Sequence, residues 1–480
     1  MGGQNAYLTV YLALCMTLIL SLYLVLIEGA RQNGARLESA CAAEIGMQSI
    51  LAEYHRELLE QYNLFAIDSS YGTEISGRKN TEDHLMHYVE KNLGTGASHS
   101  GNYVYRDFFG LSATDARLTK VSVLTDGGGA VFRRCAIDAV RDDMGLQLLE
   151  DLQEWMHVIE INGLDRTDVE EEKKQLDESL EEYNGMEVQV SDTESVLVDL
   201  ENPTARLEAK KNLGILYLVI EDKQAISENR IRQEKLIMNR MHSGQVTRGD
   251  VAVESADGIT DRFLFQEYLL RYMGHYGSER EEDALKYQVE YLLAGRESDV
   301  DNLKSAANRL LAFREAANVL YLLTDAEKNA EVKALATALG GFLPIPGLLQ
   351  LIEAVILFGW ASAESIHDVK VLLNGGKVPL VKDGATWHYS LESALRGELT
   401  DGPEGGEGLS YEDYLRIFMM LTNLDTLTAR AMNVVEADIR MTAGNAAFRM
   451  DVCYDRLEAE VWTKSSFGCE YRIMRTGTYH

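Results

Sequence analysis

The sequence predicts an α+β fold that is mostly helical, with a long N-terminal helix packed on a small antiparallel sheet and a large inserted helical domain. Strand patterns occur only at residues 63–124 and 448–479, near the two ends of the chain. The residues between them show mainly helical periodicity, and only five prolines occur in 480 residues. Insertions are tolerated where chain termini lie close together. We therefore expect an anchor with an amphipathic continuation, a small α+β domain from two segments and an inserted helical domain: residues 1–62, 63–130 plus 446–480, and 131–445.

An uncharged apolar run opens the chain from Ala6 to Ile27. A helix of about 20 apolar residues crosses the hydrocarbon layer of a bilayer. A cleaved secretory signal has basic residues before an apolar core of about 7–15 residues, and this chain has neither. The run therefore predicts an uncleaved single-pass anchor whose partner is the lipid bilayer. Residues that represent this span are Ala6, Tyr7, Leu14, Leu20, Leu26 and Ile27.

The helical pattern continues beyond the span, because apolar residues from Leu37 to Leu59 recur mostly at steps of three and four. We expect one helix from Ala6 to about Gln61, with an amphipathic second half. Strands are expected at residues 63–68, 103–108 and 116–124, with a short helix at 84–93. Two further strands are expected at residues 448–462 and 469–479.

The inserted domain contains a second apolar region at residues 332–366. Gly340-Gly341 and Pro344-Ile345-Pro346-Gly347 interrupt it, which favours two helices joined by a turn. We expect a buried helical hairpin within the domain. A hairpin that dips into the membrane is the alternative, although Glu353 would be costly in lipid.

The charge balance restricts the partners. There are 46 basic and 76 acidic residues, which gives a formal net charge of −30. Such a chain repels phosphate backbones, so we expect no nucleic-acid partner. The same charge argues against electrostatic binding to anionic lipid. High solubility is the simplest role for the acidic surface.

The sequence carries no recognisable catalytic or metal-binding motif, such as HExxH, GxSxG, a P-loop or an EF-hand spacing. We therefore expect no catalytic residue, no metal site and no cofactor. The five cysteines form no CxxC pair. Cys453 and Cys469 could form a disulfide if the body lies outside the cytoplasm, and free buried cysteines are the alternative.

The N-terminal segment resembles the pilin-like TadE/TadG proteins of tight-adherence systems. The resemblance lies in the apolar helix that leaves the membrane at Ile27-Glu28-Gly29-Ala30-Arg31 and continues towards a small sheet. Over nearly its whole length the chain also resembles an uncharacterised family of membrane-anchored proteins from Gram-positive bacteria. That resemblance includes Thr125-Asp126-Gly127-Gly128-Gly129, Phe132-Arg133-Arg134 and Val378-Pro379-Leu380.

The resemblance implies a non-catalytic component of a Tad-like pilus or secretion apparatus, with other membrane-anchored or pilus-assembly proteins as partners. It also implies a body outside the cytoplasm. The positive-inside rule by itself favours a cytoplasmic body, because Arg31 and Arg36 follow the span and no basic side chain precedes it. We follow the resemblance. The alternative function is a membrane-tethered extracytoplasmic binding or sensing module that uses the helical insert.

Overall fold

The expected fold class is confirmed. The structure, a computed structural model, is 60% helical with 11% strand and combines a small antiparallel sheet with a long N-terminal helix. It describes residues 3–93, 109–143, 146–164, 169–191, 194–220, 222–253, 256–341, 343–399 and 406–479.

The helices of the described residues are α1 (Gly3–Leu51), α2 (Arg56–Tyr62), α3 (Arg78–Asn92), α4 (Asp126–Asp138), α5 (Leu146–Asn162), α6 (Val169–Tyr183), α7 (Ala205–Lys211), α8 (Ile215–Val219), α9 (Ile237–His242), α10 (Ile259–Tyr272), α11 (Gln288–Ala294), α12 (Asp299–Thr324), α13 (Ala326–Gly340), α14 (Leu348–Leu373), α15 (Leu391–Leu395), α16 (Tyr411–Leu421) and α17 (Leu424–Met441). The strands are β1 (Ile67–Asp68), β2 (Leu111–Val123), β3 (Glu187–Ser191), β4 (Glu194–Leu197), β5 (Cys453–Ser465) and β6 (Glu470–Thr478).

The chain forms two compact units. The first contains residues 1–139, 239–256 and 439–480, and the second contains residues 140–238 and 257–438. Sequence patterns place residues 239–256 in the helical insert, whereas the structure groups them with the sheet. The reason is local hydrogen bonding: the Asp250 N–H donates to the Val121 carbonyl at 2.8 Å, and the Gly249 N–H donates to the Asp126 carboxylate at 2.9 Å.

The sheet of the first unit is antiparallel and has β5 at its centre. Strand β2 pairs with one edge of β5 over nearly its whole length, and β6 and β1 pair with the other edge. The strand expected at residues 63–68 is reduced to Ile67–Asp68, and the one expected at 116–124 is the longer β2. The strand expected at residues 103–108 lies outside the described residues.

Helix α1 packs on the sheet with the second half of its length. Its buried residues Ala35, Ala43, Met47 and Ile50 belong to one apolar core with α3 and the strands. The expected single helix to Gln61 is wrong, because α1 ends at Leu51. His55 starts a new helix: its N–H donates to the Ala66 carbonyl, and its Nδ1 accepts the Leu58 N–H at the N-terminus of α2.

A three-glycine turn lies at the start of α4, shortly after β2 ends. Gly127, Gly128 and Gly129 have φ values of 64°, 70° and 93°, a left-handed conformation that glycine adopts without the steric cost of a Cβ atom. Asp126 fixes the turn, because its carboxylate accepts the Val123 N–H at 2.9 Å as well as the Gly249 N–H. The turn therefore has a structural explanation in the change of chain direction.

The second unit is mainly helical and has α12 and α14 at its centre. The apolar region at residues 332–366 falls on α13 and α14, two helices that contact each other. Sequence patterns predicted that almost everything from about residue 131 to 241 is helical, and they missed the hairpin that β3 and β4 form there. The segment from Glu187 to Leu197 is short and mainly polar, but it contains Val188, Val190 and Val196, and strands are enriched in such β-branched residues.

Candidate functional site

The apolar span lies on the first half of α1 and is not buried against the rest of the described residues. The side chains of Tyr7, Leu14, Leu20, Leu26 and Ile27 are 59 to 81% exposed. Ala6, the remaining residue expected in the span, also lies on α1. The helix is long enough and apolar enough to cross a membrane. Helix α14 is also long enough and apolar enough to cross a membrane, but 67% of its most apolar stretch is buried inside the protein.

Charged residues at the end of the apolar span contact the sheet of the same unit. Arg31 pairs with Glu28 at 2.5 Å, and its guanidinium lies 3.5 Å from the centroid of the Phe467 ring, in the β5–β6 turn. The hydrogen bond from Arg31 lowers the pKa of the Glu28 carboxyl, so this acid stays charged where the apolar run ends. The first charged turn of α1 is thereby connected to the sheet.

A second exposed apolar surface continues along α1 beyond this boundary. Leu37 is 66% exposed, Ile45 is 49% exposed, and Cys41 between them is exposed. Residues spaced by four lie on one face of a helix. We call Leu37, Cys41 and Ile45 the outer stripe. It points away from the core that buries Ala35, Ala42 and Ala43, so it is the face on which α1 can meet another molecule.

The disulfide considered between Cys453 and Cys469 is not formed in the structure. Cys453 is the first residue of β5, whereas Cys469 follows the turn at the other end of that strand, where its carbonyl accepts the Ser465 N–H. Twelve strand residues span roughly 40 Å, but a disulfide requires Cα atoms within about 7 Å. The length of β5 therefore keeps the two cysteines too far apart to form a disulfide.

The second unit contains a buried network of charges between α12, α14 and the segment after α14. We call it the polar seam, and its members are Arg314, Asn318, Glu364, Ser365, Asp368 and Lys382, each at most 6% exposed. The Arg314 Nε donates to the Asp368 carboxylate at 3.0 Å, and Asn318 donates to the same carboxylate at 3.0 Å and to the Ser365 hydroxyl at 2.8 Å.

Lys382 completes the polar seam by pairing with both acids of α14. Its Nζ lies 2.5 Å from Asp368 Oδ1 and also pairs with Glu364. Two cations and two carboxylates leave no net charge, as a buried network requires. Burial opposes ionisation of Asp368, but Arg314 and Lys382 outweigh it and hold the pKa of this carboxyl below its ordinary value.

The polar seam also explains the Val378-Pro379-Leu380 segment. The Arg314 Nη1 donates to the carbonyls of Pro379 and Leu380 at 2.9 Å each and to the Tyr414 hydroxyl at 3.0 Å. The Glu364 carboxylate accepts the N–H groups of His388 and Tyr389 at 2.8 Å each. Residues 378–389 are thus fixed to two helices by charged side chains. This arrangement holds a loop in place.

A stacked pair of imidazoles lies beside the polar seam, next to a cavity of about 320 Å³. The rings of His367 and His388 have centroids 4.3 Å apart and an interplanar angle of 18°. Burial and the neighbouring His388 lower the pKa of His367 to about 4, so it is neutral at pH 7. Among the residues that the structure describes, no group of three or more His, Cys, Asp or Glu side chains could hold a metal ion.

A larger groove is lined by residues of α6, α7, α8, α12 and α14. Its volume is about 530 Å³, which is within the range of small-molecule sites. Charged, amide and apolar side chains line it: Lys173, Lys174, Asp177, Glu178, Glu181, Glu208, Lys211, Asn212, Ile215, Leu218, Lys304, Asn308, Leu311, Glu315 and Ile366. We call this surface the α6–α12 groove.

The deepest charges of the α6–α12 groove are paired. The Lys173 Nζ lies 2.8 Å from Asp177 Oδ2 and 2.7 Å from Glu208 Oε1, with only 5% of the residue exposed. The Lys211 Nζ lies 2.9 Å from Glu315 Oε1. These pairs hold the walls together, while the side chains of Lys304 and Glu181 are exposed.

Sequence patterns revealed the span but not the polar seam or the groove. One signal was available for the seam: Glu364 and Asp368 lie four residues apart within a mostly apolar helix. Two carboxylates on one face of such a helix indicate buried cationic partners. The partners, Arg314 and Lys382, are not identifiable from spacing, because they come from different elements.

Comparison with models of known protein families gives a match over most of the second half of the chain and part of the first. The chain matches DUF5702, described as a family of unknown function, over residues 194–465. This range includes the polar seam, one wall of the α6–α12 groove and strand β5, and it excludes the span and the three-glycine turn. No curated protein and no solved structure matches the chain. Because the match covers more than half of its 480 residues, the chain belongs to the DUF5702 family of unknown function.

Proposed function

We propose that this protein is a membrane-anchored, non-catalytic component of a Tad-like pilus or a surface or secretion apparatus, and that it assembles through α1. The proposal places the protein in the cell membrane as a single-pass protein with its body outside the cytoplasm, in contact with other membrane-anchored or pilus-assembly proteins. The TadE-like exit from the apolar run at Ile27-Glu28-Gly29-Ala30-Arg31 supports it.

The observation that carries the proposal is the exposed apolar face along α1. The span occupies residues 7–27, and the outer stripe extends this apolar surface to Ile45, about 27 Å further along the helix axis at 1.5 Å per residue. An anchor alone needs no apolar residues beyond the lipid. A neighbouring helix that leaves the same membrane would cover both surfaces at once, with the small residue Cys41 at the centre of the contact.

Disulfide cross-linking in membranes tests this assembly. The test uses a Cys469→Ser background, which removes a partly exposed thiol. Of the remaining described cysteines outside the span, Cys41 is exposed, whereas Cys135 and Cys453 are buried. Disulfides form only when Cβ atoms approach within about 4.5 Å. We expect an oxidant to yield a covalent dimer through Cys41. A Cys41→Ser, Glu60→Cys variant, with its thiol on the exposed face of α2, should give none.

A substitution in the outer stripe provides a second test of assembly through this face. Leu37→Lys should reduce the yield of dimer without changing the thermal unfolding of the protein, because Leu37 is 66% exposed and contributes little to the core. Equal yields from Cys41 and from the Glu60→Cys control would indicate random collision in the membrane. Absence of cross-linking at Cys41, with its thiol still reactive to a maleimide, would refute assembly through this face.

A second candidate function is a membrane-tethered binding or sensing module. The α6–α12 groove favours it, because the groove combines apolar side chains with exposed charged side chains of both signs. A monomeric body that binds one ligand, with surface filaments unaffected by deletion of the protein, would support this function over the first.

A further inference from the structure

We infer that the β5–β6 turn, residues 466–469, lies in the headgroup layer of the membrane that α1 crosses, with the Phe467 ring in contact with lipid. The inference rests on the single-pass anchoring in the proposed function. It goes further, because an anchor by itself does not bring the sheet into contact with the bilayer. The surface concerned is this turn together with residues 28–31 of α1, and it lies within the first unit.

Helix α1 and strand β6 run side by side in the same direction. The Arg31 guanidinium lies 3.5 Å from the centroid of the Phe467 ring, just before β6 begins. Farther along both elements, the Arg475 Nε lies 2.7 Å from Glu44 Oε2. The turn that precedes β6 is therefore at the end of the sheet nearest the apolar span.

The level of the turn relative to the span follows from the Arg31 side chain. Helical side chains tilt towards the N-terminus of their helix, and Arg31 pairs with Glu28 at 2.5 Å. Residues 28 to 31 lie about 2 to 6 Å beyond Ile27 along the helix axis. The headgroup layer on each side of the hydrocarbon core is about 5–7 Å thick. With Ile27 as the last residue in hydrocarbon, the ring that contacts Arg31 lies among the headgroups.

The turn holds the Phe467 ring at the surface of the protein. Its backbone is fixed at both sides, because the Ser465 N–H donates to the Cys469 carbonyl and the Ser466 N–H donates to the Gly110 carbonyl, each at 2.8 Å. The Phe467 side chain is nevertheless 53% exposed. Phenylalanine is among the side chains with which membrane-bound helices enter the boundary between headgroups and acyl chains. A bilayer at this level would cover the exposed part of the ring.

The charges beside the turn fit neutral headgroups. The Lys464 Nζ lies 3.1 Å from Glu470 Oε1, and Arg31 and Glu28 form a second pair. Each pair has no net charge, so the turn gains little from anionic lipid. The contact therefore depends on the apolar ring, and zwitterionic phosphatidylcholine is sufficient for it.

Photo-crosslinking of the full chain in phosphatidylcholine vesicles tests the inference. The photoreactive p-benzoylphenylalanine replaces Phe467, Leu18 or Met474, one position at a time, and lipid adducts are measured by mass spectrometry. All three side chains are more than half exposed, so the replacements should not disturb folding. Leu18 lies in the span and reports insertion of α1. Met474 is the matched control, because the next residue of β6 pairs with Glu44, about 25 Å beyond the span.

We expect lipid adducts at positions 18 and 467 and none at position 474. The yield at position 467 should stay the same when phosphatidylglycerol is added to the vesicles. An adduct at position 18 without one at position 467 would overturn the inference and leave the anchor intact. Equal yields at positions 467 and 474, a cross-link from position 467 to a second copy of the chain instead of lipid, or a requirement for phosphatidylglycerol would also overturn it. Absence of an adduct at position 18 would refute the anchor and the inference together.

Discussion

Replacement of Arg314 by methionine should strongly destabilise the helical unit. The guanidinium is fully buried and donates to the Asp368 carboxylate, two backbone carbonyls and the Tyr414 hydroxyl at 2.9 to 3.0 Å. Arg314→Met keeps much of the side-chain volume but leaves these acceptors without their donor. Each buried acceptor left unsatisfied costs about 1–3 kcal/mol, and breaking a buried ion pair costs about 3–5 kcal/mol. Because Lys382 still pairs with Asp368, we expect a loss of about 3–5 kcal/mol in the free energy of unfolding.

Urea unfolding followed by tryptophan fluorescence measures this loss, because Trp360 and Trp387 are buried in the same unit. The matched control is Arg396→Met. Arg396 is 56% exposed and pairs with Glu392 on the surface, so its loss should cost less than about 1 kcal/mol. A loss at Arg314 no larger than that at Arg396 would show that the polar seam contributes little to stability.

Two further predictions concern pH and the three-glycine turn. The pKa of His367 lies at about 4 in the folded protein, below the ordinary 6.5, so the unfolded chain binds a proton between these values that the folded chain does not. Stability should therefore fall by roughly 3 kcal/mol at most as pH drops from 6.5 to 4, and a His367→Phe variant measured in parallel should lack this contribution; equal pH profiles would contradict it. Gly128→Ala should cost about 1–2 kcal/mol, because φ is 70° although no atom lies within 4 Å of the new Cβ. Gly29→Ala, in an equally open helical position, should cost nothing in the same thermal unfolding experiment, and equal effects would refute the backbone argument.

The elements that sequence patterns predicted are those with a strong local signal. The span, β2 and the β5–β6 hairpin each show a long apolar run or an alternating pattern. The end of α1 was missed because its amphipathic pattern continues through His55 into α2, and the break depends on a hydrogen bond to Ala66. When helical periodicity continues on both sides of such a break, the sequence pattern predicts one helix.

The candidate sites depend on contacts between distant parts of the chain, which spacing does not reveal. Lys382 meets Glu364 and Asp368 through a turn of the chain, and Arg314 reaches them from another helix. The α6–α12 groove similarly combines residues that are more than one hundred positions apart. Neither arrangement has a short motif that would mark it in the sequence.

The central claim is that α1 anchors the chain with its body outside the cytoplasm, and the accessibility of Cys41 tests this most directly. Cys41 is exposed, 14 residues after the end of the span at Ile27. In a Cys469→Ser background, intact cells are treated with a membrane-impermeant maleimide and compared with permeabilised cells. The account predicts equal labelling of Cys41 in both. Labelling that occurs only after permeabilisation would place the body in the cytoplasm and contradict the proposed pilus function.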